Sequence, residues 1–570
     1  MLMVVAVCII VTWIICAVVL VGIGSIVLRG VTPAFSLADA FWIGLAASVA
    51  FLEIWSLAFA VNPIADYLLA LAGLAGWYVN WDWLAQKLVD TRSLSKSKTS
   101  NQAVIVFIIA LRAAGPCEHY DTGLYGAQAV RWMTNYPAVF GLANLHARLG
   151  FNTSVFLCHA ALNQGPWKDM YFHLFPGLLI GALWVPILGA VSRVIQRDSV
   201  RISVWFYTIL LIPTTWWSTR GFVVGTTTDE PTAILALVAS GILFEWFEDR
   251  NREPVGSGDW DSRLFVVATL LALSITFKLS IVVFAIFALG IVVVIVWQLK
   301  GRSRFLTSMC VAFVLLLVPW LGRGIVTSGY PLFPSTALGF PVEWRVPTRY
   351  AEINALWIQS MARLPNVPPA QTRGLAWLHP WLHAVMRNRL VFQVPVAIAL
   401  LSATAILMFF SRCLQPTCLH ALWLLFPSIS GLFFWFWEAP DLRFALPMIW
   451  TVAATLGALG LAILRDARKP MPARAIVAGI LLATLYCGFG WPRSYKILKS
   501  VYGFDQLPVA SVAARSTQSG LVVYVPTQGN QCWNATIPCT PYFSQTLRLR
   551  DPFDFRRGFR SDGLPPEVGP

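Results

Sequence analysis

The first 28 residues, Met1 to Leu28, carry no charged side chain and almost nothing polar. A bilayer core about 30 Å thick is crossed by about 20 apolar residues in helical conformation. Backbone in lipid must satisfy its own hydrogen bonds, so such a run folds as a helix. It is longer than a secretory signal and lacks the basic leader and small-residue cleavage site, so it reads as a retained span. Further apolar runs recur near 38–61, 64–86, 101–115, 173–192, 202–218, 231–248, 262–277, 279–298, 305–321, 391–411, 420–437, 444–464 and 475–490. The pattern predicts an all-α polytopic membrane protein, a bundle of about 12–14 transmembrane helices with juxtamembrane helices on the outer face.

Only 12% of the chain is charged and 57% is apolar, which excludes an ordinary soluble enzyme, a disordered chain, collagen and a disulfide-stapled mini-protein. Even so, 42 Lys and Arg stand against 27 Asp and Glu, a net charge of +15. Basic residues in short loops set orientation. Lys87, Arg92, Lys96 and Lys98 mark one side, and Arg193, Arg197 and Arg201 mark it again. The same side then collects Arg250, Arg252 and Arg263, next Lys300, Arg302 and Arg304, and finally Arg465, Arg468, Lys469 and Arg474. That side is expected to be cytoplasmic, leaving the long segments 116–172, 322–390 and 491–570 outside. The organisation read from this is N-terminal helices over 1–100, a core module over 101–321, a large outer loop over 322–390, C-terminal helices over 391–490 and a small outer segment over 491–570. The outer face keeps an excess of roughly nine positive charges that the loop rule does not require. Such an excess beside headgroups suits an anionic, lipid-linked partner; nothing in the pattern addresses nucleic acid.

Polar residues gather where spans emerge on that face. Gly115 and Pro116 stop a span, and Glu118 and Asp121 follow. Asp121 and Thr122 can cap a new helix, on which Leu124, Ala127, Val130 and Trp132 recur with roughly helical period. The expected element is an interfacial helix with Trp132 and Tyr136 at headgroup level. A carboxylate at its start can take a proton from an acceptor hydroxyl; the competing reading is a helix cap with a solvated Glu118. Asn144, His146 and Arg148 alternate along the next loop, either presented to one side or holding a turn. Arg220, Asp229 and Glu230 occupy a short outer loop, where Pro231 and the two acids suit a helix start. Lys278 either snorkels outward or neutralises an anion. Arg323 opens the large loop, which carries His379, His383, Arg387 and Arg389 further on. Asp441 and Arg443 share one short turn and can pair. Ionisable groups at membrane level are costly enough to suggest function.

Six of the ten cysteines (Cys8, Cys16, Cys310, Cys413, Cys418 and Cys487) lie in or beside spans as small apolar fillers. Cys117, Cys158, Cys532 and Cys539 fall on the outer side, where disulfides persist. Cys532 and Cys539 bracket a short loop in which a local bridge and two free thiols are both compatible with the spacing. No His/Cys spacing of a zinc site is present.

An acidic motif at the outer end of an early span, followed by an interfacial helix, within a many-span bundle whose outer loops are rich in Arg and aromatics, resembles the GT-C superfamily of polyprenyl-phosphate-sugar-dependent glycosyltransferases. The strings YDTGLYGAQAVRW, GLANLHARLGFN, SGYPLFPSTALGFPVEWRVP and APDLRF resemble, more narrowly, an uncharacterised family of large bacterial polytopic membrane proteins. The GT-C resemblance implies an inverting transfer on the periplasmic face of the inner membrane, from a polyprenyl-phosphate-linked sugar to a glycan, lipid or protein acceptor. It implies Asp121 as general base with Glu118 as runner-up. Asn144, His146, Arg148, Asp229, Glu230 and Asp441 would surround the sugar and acceptor. Arg220, Lys278, Arg323 and Arg443 would hold the lipid phosphate. No cofactor is implied with certainty; a divalent metal bridging carboxylate and phosphate is compatible, though no ligand spacing demands one. Two other readings stay open. One is a polysaccharide polymerase or O-antigen-ligase-like enzyme using the stretch from His379 to Arg389. The other is a transporter or flippase of lipid-linked sugars, for which paired inverted halves are expected and none are visible.

Overall fold

The computed structural model describes the whole chain except residues 1, 33, 93–95, 197–200, 251–261, 300–301, 410–419, 466–472, 489–505 and 564–570. Arg197, Arg252, Lys300, Arg468, Lys469, Cys413 and Cys418 lie outside the described residues. Helix dominates, and among the described residues nine helices are long and apolar enough to cross a membrane. Four shorter apolar helices accompany them, Pro63–Val79, Asn101–Ala113, Ser262–Phe277 and Ala475–Gly488.

The N-terminal helices α1 (Leu2–Val31), α2 (Leu37–Ala58) and α3 (Pro63–Val79) pack through small residues. Gly24 of α1 lies against the Ala40 carbonyl of α2, and Gly22 against the backbone of Gly73 and Gly76 of α3. Lipid gives no hydrophobic drive to such contacts, so close backbone approach supplies the attraction. On its other side α1 leaves Val4, Val7, Val11, Ile14, Ile15 and Val18 exposed. A continuous apolar flank of this kind suits a helix that faces lipid.

The centre of the bundle is the helix Asp229–Arg250, 94% of whose most apolar stretch is buried. Its neighbours include the helices Phe175–Gln196, Ile202–Ile209, Ser262–Phe277 and Leu442–Arg465. At about 1.5 Å per residue it is about 33 Å long, and its two ends carry separate charge clusters. At one end Asp249 receives Arg263 at 2.6 Å and also pairs with Arg201, whose Nε lies 3.4 Å from Glu248. At the other end stands Asp229. The apolar run expected as one span near 202–218 is instead two short helices, Ile202–Ile209 and Leu211–Thr219, meeting at Leu210. Pro213 in the first turn of the latter supplies no backbone N–H to bridge that junction.

The segment expected as a loop from 322 begins later, because the helix Arg302–Ser328 continues through it. Beyond Ser328 the stretch up to 390 includes two short amphipathic helices, Thr348–Arg363 and Leu378–Met386. The C-terminal segment forms two antiparallel hairpins. Strand β1 (Val512–Ser516) pairs with β2 (Val522–Pro526), and β3 (Leu547–Leu549) with β4 (Phe559–Ser561). A Cys532–Cys539 disulfide closes the loop between the hairpins, whereas Cys117 and Cys158 are buried free thiols.

Candidate active site

Six charged side chains from five separated places converge where the central helices end. Asp121 precedes a π-helical turn, Thr122–Gly126, that runs into the helix Ala127–Asn135. Arg148 lies in a 3-10 turn, Ala147–Gly150. Asp229 is the first residue of the central helix, Lys278 follows the helix Ser262–Phe277, and Asp441 and Arg443 form the turn into Leu442–Arg465. The Arg443 guanidinium reaches Asp441 at 3.0 Å, Asp121 at 3.3 Å and Asp229 at 3.8 Å. Arg148 approaches the other Asp121 oxygen at 3.6 Å. Lys278 pairs with Asp229 and lies 3.8 Å from the Phe444 ring centre, a cation–π contact that keeps its ammonium low in the cluster.

Local sequence explains each placement. The Asp441 carboxylate accepts the Arg443 backbone N–H at 3.0 Å, capping the helix that follows. Its turn is pinned by two indoles, Trp435 donating to the Asp441 carbonyl at 2.7 Å and Trp381 to the Pro440 carbonyl at 2.8 Å. Asp229 at a helix start is favoured by the dipole. The acidic segment is brought to it by Gly126: a Cβ there would lie 1.9 Å from Thr226 Oγ1. With hydrogen in that place, the Thr226 N–H reaches Thr122 Oγ1 at 2.9 Å. The π-turn inserts one extra residue into the helical start, a device common at functional sites. Asp121 makes no side-chain cap bond; its carboxylate is turned to the two arginines instead.

Three carboxylates and three cations leave the cluster formally neutral, but exposure divides it. The Asp229 side chain is 7% exposed and Arg443 is 46% exposed. A buried carboxylate must keep its counter-charge, so Asp229 is committed to Lys278, whereas Arg443 is open to an incoming anion. His119 lies beside the cluster, its Nδ1 3.4 Å from Thr122 Oγ1. Burial lowers its imidazole below the ordinary histidine range, opposed by the charges of Asp121 and Asp229. Tyr125, under Arg148 at 5.7 Å, has its hydroxyl pushed up by burial and by Asp121. The donor set does not fit a metal ligand shell. Among the described residues no three His, Cys, Asp or Glu converge as one, and the charge between the carboxylates is the Arg443 guanidinium.

Several residues named from sequence lie elsewhere. Arg323 is 2% exposed and bonds the fully buried Glu53 at 3.0 Å, with Ser154 donating to the same carboxylate at 2.5 Å. It cannot meet a phosphate at the surface, because Glu53, buried in the last turns of the helix Leu37–Ala58, needs its charge. Arg220 lies over the Trp216 ring, 3.7 Å from its centre, and outside the six-residue cluster. Glu230 is buried against the Thr227 hydroxyl. Asn144 donates to the Gly141 and Trp344 carbonyls at 3.1 and 2.9 Å, which makes it a turn residue. His146 stacks on Tyr542 with ring centres 5.2 Å apart, and burial with Arg148 beside it lowers its pKa to about 3. It therefore stays a neutral imidazole near neutral pH. Glu118 is exposed, and its charge acts on the Arg112 guanidinium. His379 and His383 are exposed on the helix Leu378–Met386, whose buried face, Trp377, Trp381 and Val385, faces the Asp441 turn. Trp132 is 1% exposed, packed between Phe555 and Phe559, so the helix Ala127–Asn135 is covered by protein at that residue.

His119, Tyr125 and Phe444 are the members that sequence reasoning passed over. His119 stands two residues before Asp121 and Phe444 directly after Arg443, so adjacency to the charged residues was the available signal.

Comparison with known proteins bears on the same residues. No curated protein and no solved structure matches the chain. A family model described as "Domain of unknown function (DUF8201)" matches residues 6–450, a stretch containing all six residues of the cluster. The chain belongs to the DUF8201 family.

Proposed function

We propose that this protein is a membrane glycosyltransferase of the GT-C type, transferring a sugar from a polyprenyl-phosphate-linked donor to a hydroxyl of a glycan, lipid or protein acceptor. The observation that carries this reading is Arg443 standing between Asp121 and Asp229 at the helix mouths, an exposed cation beside a carboxylate that it can release. Among the described residues, nine long and four shorter apolar helices accord with a bundle of about 12–14 spans. The alternation of Lys and Arg along the loops supports an inner-membrane protein with this cluster on the periplasmic face.

A lipid-linked donor brings its phosphate to headgroup level and its sugar just beyond. Arg443 exchanges Asp121 for a phosphate oxygen, since a guanidinium binds phosphate and carboxylate with the same geometry. Asp121, freed on that side and still steadied by Arg148, takes the proton of the acceptor hydroxyl. The acceptor oxygen forms the new bond to the anomeric carbon as the bond from that carbon to the phosphate oxygen breaks. The electron pair stays on the departing polyprenyl phosphate, where Arg443 meets the charge as it develops. Attack opposite the leaving group inverts the anomeric centre. Asp229 and Lys278 keep the floor of the site in place.

Purified protein in proteoliposomes, supplied with a panel of labelled polyprenyl-phosphate sugars and membrane-extracted acceptors, tests this. The expected result is labelled acceptor together with free polyprenyl phosphate. Binding of the donors without turnover for any sugar contradicts it.

A further inference from the structure

We infer that the Cys532–Cys539 loop is a strap that holds the Asp121 segment in register, with Trp533 as its positioning residue. Seven hydrogen bonds join residues 120–131 to residues 530–535. Tyr120 donates its hydroxyl to the Asn530 side chain at 2.7 Å, and Gln531 donates to the Tyr120 carbonyl at 2.9 Å. The Trp533 N–H donates to the Gly123 carbonyl at 2.8 Å. Gln128 donates to the Trp533 and Ala535 carbonyls at 3.1 and 2.8 Å, and Arg131 reaches the Asn534 carbonyl at 2.5 Å and its side chain at 2.9 Å. These bonds flank Asp121 on both sides.

Two further features show that the loop is built for this contact. A Cβ on Gly123 would lie 2.6 Å from the Trp533 ring, so the ring rests directly on the backbone of the π-turn. Trp533 itself sits at φ 44°, in the left-handed region that bulky side chains avoid. A covalently closed loop of eight residues, Cys532 to Cys539, has few ways to relax out of that conformation. Gly123 and Gly126 thus play matched parts. Gly126 admits Thr226 on one side, Gly123 admits Trp533 on another, and the turn Thr122–Gly126 that follows Asp121 is held by both.

This placement rests on the role proposed for Asp121, but hydrogen exchange reads it without any reference to transfer. The experiment follows amide exchange of peptides spanning 119–131 in the full chain in nanodiscs. We expect Trp533→Ala, Gly123→Ala and reduction of the disulfide each to speed exchange there by about tenfold or more, with the central helix Asp229–Arg250 unchanged. Trp533→Phe, which keeps a ring on Gly123, should retain most of the protection. Gly123→Ala combined with Trp533→Ala should cost clearly less than the two effects summed, because the added methyl then meets no ring and only the movable end of the Gln531 side chain, 2.7 Å away. Where labelled-sugar turnover is available, Trp533→Ala should lower kcat with the KM for donor held, and Trp533→Phe should recover it. Unchanged exchange at 119–131 in Trp533→Ala, or strictly additive effects of the two alanines, would overturn the strap. Wild-type turnover in Asp121→Asn with exchange intact would count against Asp121 as the base and leave the strap standing.

Discussion

Arg443 and Asp121 lie 322 positions apart in the chain and 3.3 Å apart in the folded protein. The guanidinium that makes this contact also binds Asp441, two residues before it, through both Nε and Nη2 at 3.1 and 3.0 Å. Asp441 therefore holds Arg443 in place from its own turn while the third nitrogen remains available to Asp121 or to an incoming anion.

The first prediction concerns that shared cation. Arg443→Ala should weaken binding of polyprenyl phosphate at least tenfold, since one charge-assisted bond of this kind contributes about 1.5–3 kcal/mol. Arg443→Lys should fall between, keeping the charge and losing the fork. Titration of the purified variants with polyprenyl phosphate in detergent checks both. Equal affinity in all three proteins would show that the phosphate binds elsewhere.

The second prediction concerns Arg323 and its buried partner. Glu53 and Arg323 are 0% and 2% exposed, so removing one leaves a buried, unmatched charge. Arg323→Met should cost about 3–5 kcal/mol, seen as a lowered Tm and poor yield. Glu53→Gln with Arg323→Met should recover much of that, because neither charge then remains. A surface role for Arg323 in phosphate binding predicts the reverse, a stable protein with impaired binding.

The third prediction is acid sensitivity. His146 titrates near 3 in the folded protein against 6.5 ordinarily, and His159, also buried, does the same. Between those values the unfolded chain takes up protons that the folded chain refuses, so stability falls as pH drops from about 6.5 toward 3 and is complete above 6.5. The Tm should decline over that window, less steeply in His146→Phe, which preserves the stack on Tyr542. A pH-independent Tm difference between wild type and variant would contradict the assignment.

How far the sequence could be read depended on where each residue's partner lay. Span positions follow from runs of apolar residues, which are local, and the helices fall close to them. Asp121, Asp229, Lys278, Asp441 and Arg443 were recognisable as charges near the end of an apolar helix, and Arg148 as one of the polar residues alternating along a loop. Arg323 has that same signature, yet its partner Glu53 stands 270 residues earlier inside a span, a pairing that no local pattern encodes. Trp132 has the composition of an interfacial anchor, but Phe555 and Phe559 from the far end of the chain cover it. The two glycines of the acidic motif carry packing information that becomes readable only with Thr226 and Trp533 beside them.

The central claim is that Asp121 is the base and Arg443 the phosphate ligand that releases it. Single-turnover transfer by Asp121→Asn, measured at saturating labelled donor, tests this most directly. The account predicts loss of transfer by about 10²-fold or more, with donor binding retained at wild-type strength or better because Arg443 has lost a competing carboxylate. Wild-type turnover by Asp121→Asn would contradict it.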